Sequence, residues 1–105
     1  MPQYLAAVTL VVRDYDEAIA YYTGVLGLAL LEDTPLGANR RWVRVAPPGA
    51  QTCLLLAQAA TPAQAAHIGD QTGGRVAFIL QTDDFWRDYA ALRERGVRFT
   101  EAPRV

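Results

Sequence analysis

The sequence predicts an α+β domain assembled from two β-α-β-β-β units, the second incomplete at its C-terminal end. Three observations carry this. First, an apolar run closed by aspartate occurs twice, as Ala7-Val8-Thr9-Leu10-Val11-Val12-Arg13-Asp14 and as Arg75-Val76-Ala77-Phe78-Ile79-Leu80-Gln81-Thr82-Asp83. Second, each run leads into a helix-like stretch ending at a glycine, Gly27 and Gly96. Third, each glycine opens an alternating stretch, Leu28–Glu32 and Val97–Glu101. The offset is 68 positions from Val8 to Val76 and 69 from Gly27 to Gly96, so one inserted residue near Thr82 reconciles the copies.

In order along the chain, Leu5–Val12 is a near-continuous apolar, β-branched run, the pattern of a strand covered on both faces. Asp14 is placed to cap a helix, with Glu17 three residues on. From Tyr15 to Leu26, the residues Ala18, Ile19, Tyr22, Val25 and Leu26 fall on one side of an amphipathic helix. Gly27 stands where a left-handed cap is needed. Of Tyr21 and Tyr22, one ring is expected on the sheet and the other partly exposed. Leu28–Glu32 reads as a second strand, and 33–39 as a turn rich in Asp, Thr, Pro, Gly and Asn. Arg41–Val45 alternates charge with apolar bulk, a third strand. Pro47–Ala50 is a turn, and Gln51–Ala57 a fourth strand.

Residues 58–74 form a connector rich in Ala, Gln, Thr and Gly, with Thr61-Pro62 opening one or two helical turns. Arg75–Gln81 is then the fifth strand, Asp83 the cap of a second helix running to about Arg95, and Val97–Thr100 the sixth strand. The apolar side of that helix is Phe85, Trp86, Tyr89 and Leu92. The reading is one domain over 1–105, with a first unit at 4–57, the connector at 58–74 and a partial second unit at 75–105. Completing the second unit takes roughly 20 to 25 residues beyond Val105, two strands of ordinary length and a turn.

Composition bounds the function. The chain has 105 residues, ten arginines, no lysine, eleven acidic residues and a net charge of −1. That balance offers no electrostatic case for nucleic acid or an anionic membrane. The all-arginine usage reads first as a compositional habit and second as anion recognition. The single Cys53, in an apolar setting, excludes an internal disulfide and reads as a core residue. No run has the length of a membrane span and no basic segment precedes the first apolar stretch, so the cytoplasm is expected. His67, the only histidine, lies in the connector as a surface residue, and Asp83-Asp84 reads as a helix cap. No nucleophile-elbow, phosphate-loop, zinc-protease or dinucleotide fingerprint is present.

The unit order, with Val11-Val12-Arg13-Asp14-Tyr15-Asp16-Glu17-Ala18, Tyr21-Tyr22, Leu26-Gly27-Leu28, Arg41-Trp42-Val43, Gly73-Gly74-Arg75-Val76-Ala77-Phe78, Thr82-Asp83-Asp84 and Leu92–Val97, resembles the vicinal oxygen chelate superfamily. Its members include glyoxalase I, extradiol dioxygenases, fosfomycin-resistance enzymes and bleomycin-resistance proteins. The resemblance covers nearly the whole chain. It implies that the units curl into a half-open barrel enclosing a cavity, and that subunits pair, which makes a homodimer the expectation here. Catalytic members hold a divalent metal on His, Glu or Gln at the start of a unit's first strand and on its last strand. Those positions fall here on Ala7, Arg75 and Leu55, which offer a metal no donor; the fourth falls past Val105.

What the resemblance then implies is a metal-independent protein of the glyoxalase/bleomycin-resistance type that binds a small organic molecule, with no cofactor expected. The cavity wall would comprise Thr9, Val11, Trp42, Arg44, Cys53, Leu55, Arg75 and Ala77, with Arg75, Trp42, Arg44, Thr9 and Leu55 as the ligand-binding set. Arg75 is either an anion-binding guanidinium or a strand-end arginine reaching water. Trp42 either lines the cavity or meets a partner subunit. Two alternatives stand beside this: a glyoxalase-like lyase or dioxygenase whose divalent metal site is displaced, and a self-associating structural module.

Overall fold

In the computed structural model, residues 2–103 are described. Met1, Arg104 and Val105, the extremities of the expected 1–105 domain, lie outside the described residues. The architecture is a mixed α+β one built on an open four-stranded sheet: β1 (Ala7–Val12), β2 (Ala29–Gly37), β3 (Arg40–Ala46) and β4 (Cys53–Gln58), in the spatial order β1-β4-β3-β2. β1 runs parallel to β4, and the other two pairings are antiparallel. The helices are α1 (Tyr15–Ile19) with a π-helical continuation (Ala20–Val25), α2 (Pro62–Ala65) and α3 (Phe85–Glu94).

Side chains two apart on a strand share a face. Leu10 and Val12 of β1, Val43 and Val45 of β3, and Leu56 of β4 meet Tyr15 and Ala18 of α1 in one core. Val43 and Val45 are wholly buried. The apolar run of β1 had suggested cover on both faces. Instead Ala7, Val8 and Thr9 are exposed and Val11 is half-buried, because α1 meets only the alternate residues farther along the strand.

Asp14 caps α1, its carboxylate accepting from the Glu17 N–H at 2.8 Å. Glu17 turns its own carboxylate to Arg13 rather than back to the cap. The expected single α-helix to Leu26 changes character at Ala20. The Thr23 hydroxyl donates to the Ile19 carbonyl at 2.7 Å, and the Leu26 N–H reaches the Tyr21 carbonyl five residues back. A hydroxyl competing for a helix carbonyl, followed by Gly24, loosens the α pattern locally. Tyr22 packs on the core while Tyr21 is exposed. Gly27 takes φ +78°, and a Cβ there would meet the Arg95 guanidinium at 3.1 Å.

The turn expected over 33–39 is instead the second half of β2. Only Ala38 and Asn39 turn the chain, with Asn39 at φ 60°. Turn-favouring residues are tolerated because β2 is an edge strand and breaks register twice, at Leu30/Glu32 and Pro35/Gly37. Arg41 holds the strand in place with two bonds to Asp33, at 3.0 and 2.6 Å, and reaches Asp16 of α1 at 2.9 Å.

Thr61 caps α2 as expected. The cap of α3 is Asp84 rather than Asp83, which pairs with Arg87. Arg75–Gln81 and Val97–Thr100, expected as strands, form none. A strand persists only when its N–H and C=O groups join a ladder, and among the described residues these segments find no ladder partner.

Candidate functional site

The sheet face opposite α1 carries one transverse row. Thr9 stands opposite Leu55, Leu55 opposite Arg44, and Arg44 opposite Glu32. Arg44 donates from Nε to Glu32 Oε1 at 3.0 Å and lies 3.9 Å from the buried Cys53 Sγ. Cys53, and then Glu32, hold its guanidinium above the ordinary arginine range, so its charge is permanent and already met by a carboxylate. Trp42, two residues along β3 from Arg44, shares this face and is 40% exposed.

Arg75 stands apart from that row. It lines a groove of about 850 Å³ along the outer edge of β1, between the first helix and the connector, together with Val11, Tyr21, Asp70 and Ala77. Its backbone is locked by Thr72, whose hydroxyl accepts from the Arg75 N–H at 2.8 Å. Its guanidinium has no protein partner among the described residues. The Gln71 amide occupies the β1 edge like a strand fragment, accepting from the Val11 N–H at 3.1 Å and donating to the Val11 carbonyl at 2.7 Å. Burial, and then the neighbouring Tyr21, push the Tyr22 hydroxyl in this groove up, so it stays neutral.

Trp42 and Leu55 also line a cleft of about 580 Å³ at the end of the sheet where β3 and β4 part. The sequence-derived set therefore divides. Thr9, Leu55, Arg44 and Trp42 share one sheet face, and Arg75 faces a groove beyond the β1 edge.

The metal positions implied by the resemblance can be tested on the donor set. Ala7 and Leu55 have no donor atom in their side chains, Arg75 is cationic, and the Glu32 carboxylate beside that row is held by Arg44. Among the described residues no three His, Cys, Asp or Glu side chains group closely enough to hold a metal ion. His67 is exposed and its Nδ1 lies 3.4 Å from the Asp70 carbonyl. The described residues do not fit a chelating metal centre.

Two side chains that shape these surfaces had escaped the sequence reading. Tyr15 is buried in the core with its hydroxyl accepting from the Arg41 N–H at 3.4 Å. A signal existed, since Tyr15 lies three and four residues before Ala18 and Ile19 and extends the same helix face. Gln71 had no signal, because its role depends on where the connector folds back.

A family model described as Glyoxalase/Bleomycin resistance protein/Dioxygenase superfamily matches residues 4–105. A protein of Shewanella frigidimarina is 48% identical over 105 residues, covering 98% of this chain and 78% of that relative. Among solved structures, TnmS3, an antibiotic binding protein from Streptomyces sp. CB03234, is similar with a TM-score of 0.72 and 34% identity, covering 92% of this chain and 74% of that one. A superfamily member from Sphaerobacter thermophilus superposes with a TM-score of 0.76 at 34% identity, covering 98% and 79%.

Proposed function

Because the chain belongs to the glyoxalase/bleomycin resistance protein/dioxygenase superfamily, we propose that it is a small-molecule-binding protein that works without a metal. The observation that carries this reading is the donor set: Ala7 and Leu55, where the resemblance implies metal ligands, have no donor atom, Arg75 there is cationic, and Glu32 is committed to Arg44. The antibiotic-binding activity of a neighbour at 34% identity supports the same class. On this reading Thr9, Trp42, Arg44, Leu55 and Arg75 contribute to the ligand surface, the second unit curls against the first as the other half of an open barrel, and two chains pair. The protein acts by sequestering or sensing an organic ligand in the cytoplasm. Among the described residues no helix is long and apolar enough to cross a membrane.

The test is metal analysis of the purified protein together with a thermal-shift screen against aromatic natural-product scaffolds. The expected result is substoichiometric metal and a Tm rise with at least one scaffold class. A stoichiometric divalent ion, or turnover of the methylglyoxal–glutathione adduct on adding nickel or zinc, would overturn it in favour of a lyase with a displaced site.

A further inference from the structure

The β3–β4 ladder closes early. Its pairs are Val45↔Leu54, Arg44↔Leu55 and Val43↔Leu56, yet β3 reaches back to Arg40 and β4 runs on to Gln58. Over those extensions each strand is held by its other neighbour. Arg40, Arg41 and Trp42 pair with β2, while Ala57 and Gln58 pair with β1. The two strands thus part like an opened seam, each side of which is laddered to a further strand. The Tyr15 hydroxyl enters that seam and accepts from the Arg41 N–H, replacing the missing ladder partner. The cleft of about 580 Å³ lies here, within the range that encloses an organic ligand.

Its chemistry is one-sided. Leu36, Leu55, Leu56 and Ala57 supply apolar wall, and Trp42 an aromatic face. Arg41 is fully committed to Asp33 and Asp16 and stacked on the Tyr15 ring. Arg40 also lines the cleft, is exposed, and has no partner among the described residues. Among the described residues no Asp or Glu lines it. The remaining polar side chains are the Arg40 guanidinium and the Trp42 indole N–H, which only donate, the Tyr15 hydroxyl, whose oxygen accepts from Arg41, and the Asn39, Gln58 and Gln64 amides, which donate and accept, Gln64 Oε1 being taken by the Ala60 N–H. The groove along β1 differs, since there Arg13 is neutralised by Glu17, and the Asp70 carboxylate is part of the lining.

We propose that the cleft between the parted ends of β3 and β4 binds a planar aromatic carboxylate, its ring beside Trp42 and its carboxylate on Arg40. This rests on the small-molecule-binding reading above and adds a location and a ligand class. An inorganic anion would leave the apolar wall unused. A neutral aromatic would leave the guanidinium unpaired.

The experiment uses 1-naphthoate and its neutral analogue 1-naphthalenemethanol, with the full chain carrying Trp86→Phe so that Trp42 alone reports by fluorescence. Binding is repeated by titration calorimetry without that substitution. The expected result is a preference for the acid on the order of tenfold, the worth of one charge-assisted hydrogen bond. Arg40→Gln removes that preference and leaves the affinity for the alcohol unchanged. Equal affinity for acid and alcohol, or an Arg40→Gln chain that keeps the preference, overturns the proposal. Amide shifts confined to Thr9, Arg44 and Arg75 on adding naphthoate overturn the cleft while sustaining small-molecule binding. Failure of both probes to bind overturns the cleft alone, because the scaffold screen tests binding at any site.

Discussion

Residues 7–58 form a sheet with a helix packed on one face, whereas residues 75–101 form one helix flanked by irregular chain. Both stretches carry the same order of signals: an apolar run, an aspartate cap, an amphipathic helix and a glycine. In the first, part of the apolar run and one face of the helix end in burial, with Leu10, Val12, Tyr15, Ala18 and Leu56 in one core. In the second, α3 buries no residue; Trp86 is 60% exposed and Ile79 85%. Its aromatic residues pack mainly on one another, Phe85 stacked on Tyr89 and Tyr89 against Phe99. The difference teaches that a helix cap and an amphipathic stripe are local properties, while a strand needs partners and a core needs a second layer. The two regions are tied by Arg95, which donates from Nε to the Val25 carbonyl at 2.7 Å.

Four measurements probe this contrast, taken from the largest effect down. Leu56→Ala, at a site 1% exposed, should cost about 2–5 kcal/mol by denaturant unfolding, whereas Leu92→Ala on α3 should cost about 0.5 kcal/mol. Equal losses would mean that both regions share one core. Hydrogen exchange should show Leu10, Val45 and Leu56 opening only with global unfolding, and the amides of 76–80 exchanging close to the unprotected rate; protection over 76–80 would reveal a strand partner. Removing the caps comes next. Asp14→Ala should lower global stability by about 1 kcal/mol, while Asp84→Ala should reduce helical signal without moving the main transition.

The smallest effect is pH dependence. Hydrogen bonds from Arg41 hold the Asp33 carboxyl below the usual aspartate range. A depressed carboxylate stabilises the fold fully above its unfolded pKa of about 3.9. That contribution is lost as pH falls through the lower, folded value. Asp33→Asn should therefore flatten the acid limb of the unfolding curve. Asp88 is also depressed, first by the Thr82 hydroxyl and then by Arg87, but Asp88→Asn should alter only the α3 signal. A global effect from Asp88 would again join the regions.

Much of the first unit was legible because its determinants are short-range. Asp14, Gly27 and Thr61 act within a few residues of themselves, and the alternation Val43-Arg44-Val45 declares its own inner and outer faces. The course of β2 was not legible. Asp33 to Gly37 has the composition of a turn, and only the paired Arg41 across the strand makes it extended. Thr9, Leu55 and Arg44, expected on one cavity wall, lie in one row of the sheet, since strand parity is a local rule once register is known. Tyr15 could have been read from its helix face, but Gln71 had no comparable signal, because it acts across 60 residues of chain.

The amino-acid order alone settles the family, the caps at Asp14 and Thr61 and the lack of donor atoms at Ala7 and Leu55, all of which follow from residue identity and near-neighbour spacing. The early closing of the β3–β4 ladder, the seam it opens beside Trp42, the commitment of Arg41 while Arg40 stays free, and the separation of Arg75 from the Arg44 row belong to the assembled fold. They depend on which backbone groups find partners across the sheet, and that is a property of packed strands rather than of any one segment.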